Sequence, residues 1–173
     1  TCCMIEVEGM KIGIAVCEDF WRGFDAEAAP TYDINPVAEL IDGGCTIIVS
    51  PSASPFVIGK HETHVDYSCD VARSHDITIA MCNQVGANDD LIFDGGSFVA
   101  TSKGIIGELP VFETGSIVID TSADVIALQP SSDDADCVHG RSVLAICRSA
   151  VFHSASLCRI LCFLYYLVGI NCR

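Results

Sequence analysis

Positive charge is what this chain has least of. Its 173 residues carry nine Lys and Arg against 23 Asp and Glu, a formal charge of -14. Phosphate backbones and anionic membrane surfaces are held by cations, so nucleic acid and such membranes are excluded as partners, which leaves a small-molecule ligand. Long apolar runs are equally scarce. The best candidate, residues 160–170, falls short of the ~20 residues that a bilayer span requires. The first residues show no basic stretch followed by an apolar one, so no secretory signal is expected. No Gly-rich phosphate cradle follows any strand pattern. Acids, finally, are absent from residues 137–173, where every charged side chain is an arginine.

Cysteine, by contrast, is abundant: there are eleven. The number is odd, no spacing repeats, and most lie inside apolar runs, where a free thiol packs as a small hydrophobe. A disulfide scaffold would be small, loop-rich and poor in core. A reducing, cytoplasmic compartment is therefore expected. With 50% apolar residues the chain has enough for a real core of about one domain.

Residues 4–7 and 12–16 read as two strands joined by a reversal through Glu8-Gly9-Met10-Lys11. The second, Ile12-Gly13-Ile14-Ala15-Val16, is apolar almost throughout, as suits a sheet covered on both faces. Residues 22–35 read as a loop. Pro36 then opens a helix with Val37, Leu40 and Ile41 as its apolar stripe, stopped by Gly43-Gly44. Thr46-Ile47-Ile48-Val49 is a buried strand, expected to end before Ser50-Pro51-Ser52, because proline cannot continue a ladder. A surface helix over 60–74, a buried strand over 77–81 and short strands at 92–93, 97–100, 105–106 and 116–119 complete an α/β pattern.

Cys17 falls at the carboxyl end of a buried strand, where open α/β sheets hold their ligands. Glu18 and Asp19 follow it directly. The thiolate is the attacking species, and flanking carboxylates do not favour a further negative charge, so a base or cation must come from elsewhere. A buried structural cysteine is the competing reading. That reading loses weight when three blocks are taken in order: Val16-Cys17-Glu18-Asp19-Phe20-Trp21; Ser52-Ala53-Ser54-Pro55-Phe56 with Gly59-Lys60; and Asn83-Gln84-Val85-Gly86 with Phe93-Asp94-Gly95-Gly96-Ser97-Phe98. Through these blocks residues 4–121 resemble the nitrilase superfamily, and more narrowly the amidase domain of glutamine-dependent NAD synthetases.

The resemblance implies a nitrilase-like αββα sandwich, an α/β fold of which residues 1–122 would form about half. Residues 123–136 read as an acidic linker. Residues 137–173, a Cys- and Arg-rich tail, match no part of the family and read as a frame-shifted, unspliced or chimeric end. By the same resemblance Cys17 is the nucleophile, the backbone N–H of Glu18 helps hold the oxyanion, and Ser54 and Lys60 bind glutamine, Lys60 pairing with its carboxylate. The implied chemistry is glutamine hydrolysis through a cysteine thioester, the ammonia serving amidation of deamido-NAD.

The family also uses a Glu general base and an oxyanion-stabilising Lys, both further upstream of the nucleophile than the sixteen residues that precede Cys17. Glu6, Glu8 and Lys11 read as hairpin surface residues and not as substitutes. The chain is thus expected to be an incomplete catalyst. ATP and Mg are implied only for a synthetase domain whose S-G-G-x-D-S loop does not occur here; no metal or cofactor is expected in this chain, and a family-like homo-oligomer is. Two other readings stay open: a stand-alone amidase or nitrilase, and a catalytically silent fragment. His61 and His64 read as solvated helix residues rather than metal ligands, since no third ligand is suggested. Asp89-Asp90 and Asp133-Asp134 read as loop acids, the first pair near a pocket mouth. The stretch between Trp21 and Pro36 is longer than the family's and reads as a surface insertion, which costs little entropy.

Overall fold

The computed structural model describes residues 3–7, 9–21, 34–120 and 143–148. Strands β1 (Cys3–Val7) and β2 (Met10–Ile14) form a hairpin in which Val7 pairs with Met10. The reversal is tighter than the sequence pattern implied: Gly9, at φ 82°, turns the chain so sharply that Met10 and Lys11 already belong to β2. Lys11 lies opposite Glu6 on this exposed hairpin and donates to Gly43 O at 3.0 Å, so both are surface residues as expected. Glu8 lies outside the described residues.

Helix α1 (Glu18–Trp21) follows β2, and α2 (Pro36–Asp42) precedes β3 (Ile47–Ser52). Asn35 caps α2, its side-chain oxygen accepting from the N–H of Ala38 at 3.2 Å, and Pro36 occupies the first turn, where a missing N–H is harmless. Leu40 of α2 packs directly on Gly13 of β2; a Cβ at Gly13 would stand 3.1 Å from both Leu40 δ-carbons. That close approach is why a glycine interrupts an otherwise bulky strand.

Strand β3 runs through Pro51, contrary to the expectation that the proline ends it, and its register with β4 (Thr78–Asn83) continues to Pro51↔Cys82 and Ser52↔Asn83. Pro51 O accepts from Cys17 N–H, so the missing donor of Pro51 faces the side on which β2 has already ended. No bond to β4 is lost. Helix α3 (Lys60–His75) links β3 to β4.

Past β4 the chain forms a hairpin of its own, β5 (Val85–Asn88) with β6 (Leu91–Asp94), before β7 (Phe98–Thr101) and β8 (Gly104–Glu108) return to the main sheet. The six-stranded sheet has the order β1-β2-β3-β4-β7-β8, parallel across β2, β3 and β4 and antiparallel at both flanks. One face packs Ala15, Ile48, Ile79, Met81 and Phe98 against Phe20 of α1, Val37 and Leu40 of α2, and Ala72 of α3. The other gathers Ile12, Ile47, Val49, Ala80, Cys82 and Val99 with Leu109. Ile47 and Val49 face one way and Ile48 the other, the two-residue period of a strand buried on both sides. Among the described residues helices cover only the first face.

Strand β9 (Ser116–Asp120) pairs antiparallel with β10 (Val143–Arg148), the described part of the Cys- and Arg-rich tail. The expected acidic linker over 123–136, nearly all of the longer Trp21-to-Pro36 loop, and the rest of the tail lie outside the described residues. Cys3, Cys17, Cys45, Cys69 and Cys82 form no disulfide; Cys45 and Cys82 are buried in the core, as packing as small hydrophobes requires, whereas Cys3 is exposed.

Candidate functional site at the carboxyl ends of three parallel strands

The parallel strands β2, β3 and β4 all end at one sheet edge. There β2 delivers Cys17, β3 delivers the loop with Ser54, and β4 ends on Asn83. Cys17 has φ 47°, a left-handed conformation that an L residue other than glycine adopts at a cost of about 1–3 kcal/mol. Two bonds hold it there: Cys17 N–H donates to Pro51 O at 3.0 Å, and Cys17 O accepts from Phe20 N–H at 3.0 Å. Asp19 N–H donates to Val16 O at 3.0 Å. Among the described residues no hydrogen bond uses the N–H of Glu18. The turn thus raises a half-buried thiol beside a backbone donor that has no partner among the described residues.

A polar cleft opens next to this turn. Ser54, Pro55, Lys60, His61, Asn83 and Asp94 are among its lining residues, with Met81 and Phe98 at the base. Ser54 is buried, and its N–H donates to Asn83 Oδ1 at 2.9 Å. Lys60, the first residue of α3, donates from Nζ to Pro55 O at 3.2 Å, which folds its chain back over the loop. The structure therefore brings Ser54 and Lys60 to one cleft. Cys17 is not among the residues lining it. It sits on the turn after β2, bonded to Pro51 of β3 just before the Ser54 loop, and Trp21 four residues on stacks on His64 of the cleft with ring centroids 3.7 Å apart and planes 9° from parallel.

The two histidines differ from the sequence expectation of solvated helix residues. His64 is only 8% exposed and also lines the cleft. Burial, with lesser contributions from the charges of Lys60 and His61, lowers its pKa from 6.5 to about 4, so His64 is neutral at physiological pH. His61 Nε2 lies 2.7 Å from Glu108 Oε1 on β8. The amphipathic pattern of 60–74 was too weak to reveal that this helix turns both imidazoles inward, one onto Trp21 and one toward a glutamate distant in sequence. No cluster of three or more His, Cys, Asp or Glu able to hold a metal occurs among the described residues. Asp89 and Asp90 are exposed at the β5–β6 turn and do not line the cleft.

Asn83 carries more of the site than the sequence disclosed. Besides accepting from Ser54 it donates from Nδ2 to Gly95 O at 2.9 Å and to Asp94 Oδ1 at 3.4 Å, and its backbone N–H donates to Ser97 Oγ at 2.9 Å. The block Asn83-Gln84-Val85-Gly86 was visible, but nothing in its spacing assigned the amide to the Ser54 loop.

No family profile matches the chain. A curated relative, the glutamine-dependent NAD(+) synthetase of a Synechocystis species, is 42% identical over 107 residues, which are 61% of this chain and 19% of that protein. The chain thus spans about a fifth of the length of such relatives. The solved glutamine-dependent NAD(+) synthetase of Acinetobacter baumannii superposes with a TM-score of 0.56 at 32% identity, covering 65% of this chain and 20% of that one. A Nesterenkonia amidase of known structure, carrying the acetamide moiety of fluoroacetamide added covalently at its active-site cysteine, superposes with a TM-score of 0.51 at 22% identity over 64% of this chain and 37% of its own; at that identity the likeness speaks for the fold alone. No helix among the described residues is long and apolar enough to cross a membrane. Over the greater part of its length the chain is similar in sequence to a segment of glutamine-dependent NAD(+) synthetases, and it shares its α/β fold with a Nesterenkonia amidase of the nitrilase superfamily.

Proposed function

We propose that this segment forms the cysteine side of a glutamine-hydrolysing site. The observation that carries the reading is the left-handed Cys17, just past the end of β2, its neighbour Glu18 N–H without a partner among the described residues, beside a cleft that holds Ser54 and Lys60. In this reading the Lys60 ammonium meets the α-carboxylate of glutamine and the Ser54 hydroxyl fixes the same end. The side-chain amide then reaches Cys17. The Cys17 thiolate adds to the amide carbon, and the carbonyl oxygen becomes an oxyanion toward which the Glu18 N–H is available. The C–N bond breaks, the nitrogen leaves as ammonia after taking a proton, and water cleaves the thioester to glutamate and the free thiol.

The resemblance adds a Glu base and a Lys upstream of this segment, and a synthetase domain in which ATP and Mg support amidation of deamido-NAD with the ammonia released. Five described cysteines outside any disulfide fit a reducing compartment such as the cytoplasm. A polypeptide of these 173 residues is expected to release almost no ammonia from glutamine. An extended form, with the upstream portion of a related amidase joined before Cys3, is expected to turn glutamine over. In that form Cys17→Ala lowers turnover by roughly a thousandfold or more. Retention of activity by the extended Cys17→Ala variant overturns the assignment.

A further inference from the structure

Ser54 and Lys60 come from different elements, a loop and a helix start, yet they have to act on one carboxylate. Something has to fix their separation. We propose that Asn83 is the positioning residue that sets the geometry of this pair, an inference that rests on the reading of the cleft as a glutamine site.

The Asn83 side chain is buried where the ends of β3, β4 and β6 meet. Its Oδ1 takes the Ser54 N–H at 2.9 Å, while Nδ2 holds Gly95 O at 2.9 Å and reaches Asp94 Oδ1 at 3.4 Å. An acceptor and two donors on one planar group are what this junction uses. A carboxylate has no donor and a hydroxyl has only one. The hold on Ser54 is therefore direct.

The hold on Lys60 runs through two contacts. Gly96, at φ 61°, lies against the His61 ring so closely that a Cβ there would stand 2.9 Å from two ring atoms. His61 follows Lys60 in α3, so the first turn of that helix rests on the Gly95–Gly96 turn that Asn83 holds by Gly95 O. Lys60 Nζ in turn bonds Pro55 O, beside Ser54. One amide thus braces both substrate groups, while Cys17 is held separately, through Pro51 and Phe20. The separation makes a differential effect the signature of this role.

The experiment compares two reagents on Cys17 in the full chain, with modification read at the Cys17 peptide by mass spectrometry. One is a chloroketone built on the glutamine backbone, which needs the α-carboxylate site. The other is iodoacetamide, which does not. The unaltered chain is expected to react faster with the chloroketone than its ketone chemistry alone accounts for, and to be protected by glutamine. Asn83→Ala is expected to slow the chloroketone by about tenfold, the scale of losing a buried hydrogen-bond partner, with the iodoacetamide rate unchanged. The double variant Asn83→Asp with Asp94→Asn restores an acceptor for Ser54 N–H and reverses the donor across the Asn83–Asp94 contact while leaving Gly95 O without a donor, so it is expected to regain only part of the lost rate. An unchanged chloroketone rate in Asn83→Ala overturns the inference, and so does an equal fall of both rates, which marks a general structural role. Absence of glutamine protection in the unaltered chain overturns the glutamine reading itself, and this inference with it.

Discussion

His64 illustrates at the scale of one residue how tertiary contact rewrites a sequence reading. On its helix it looks like a polar residue bound for solvent; in the fold Trp21 covers its ring and the cleft wall takes its edge. The consequence can be measured. With a folded pKa of about 4 against an ordinary 6.5, the unfolded chain takes up the proton first as pH falls. Stability from keeping the ring neutral is therefore complete above pH 6.5 and is lost as pH falls from there through about 4. His64→Phe keeps a ring on Trp21 and removes the titration. The chain's unfolding free energy is expected to fall more steeply than that of the variant over this window, whereas parallel curves contradict the burial argument. Cys17 was legible from sequence because an apolar strand pattern ends there and a recognisable block begins. Asn83 was not, because the partners that give it meaning, Ser54 and Gly95, reach it only through the fold.

At the scale of elements, the order of strands and helices followed from apolar periodicity, and the errors lie where one local rule met a neighbour. Pro51 stays in β3 because its missing donor faces the side from which β2 has departed. The hairpin strand β5 went unread because Val85-Gly86-Ala87-Asn88 has neither an apolar run nor bulky alternation, and its structure comes from pairing with β6. Helix α2 is the opposite case, written almost wholly in its own residues: Asn35 caps it, Pro36 starts it, and Gly43 N–H closes on Glu39 O at 2.9 Å. Asn35→Ala leaves the Ala38 N–H without its cap and is expected to cost about 1 kcal/mol. A urea titration checks this through the midpoint; an unchanged midpoint contradicts the cap's role. Because Leu40 seats α2 on Gly13, three residues before the Cys17 turn begins at Val16, this small helix also steadies the strand that leads to Cys17.

For the whole molecule, the low content of cations speaks against polyanion partners, and the proposed glutamine site depends on where the strand ends meet. Strand polarity sets that place. Three parallel strands end at one edge, where Cys17 follows β2, Ser54 follows β3 and Asn83 closes β4. The sequence disclosed those residues in order, but not that β7 and β8 join the sheet beyond β4 while β5 and β6 stand apart, since connection length alone does not choose between the two. The central claim is that Cys17 carries the acyl group of glutamine. Its most direct test is to mix the extended form with glutamine labelled in its carbon chain, stop the reaction in acid within one turnover, and locate the label by peptide mass. The account predicts label on the Cys17 peptide, released by hydroxylamine as a thioester is, and none after Cys17→Ala. Turnover with no label at Cys17, or label at Cys69 or Cys82 instead, contradicts it.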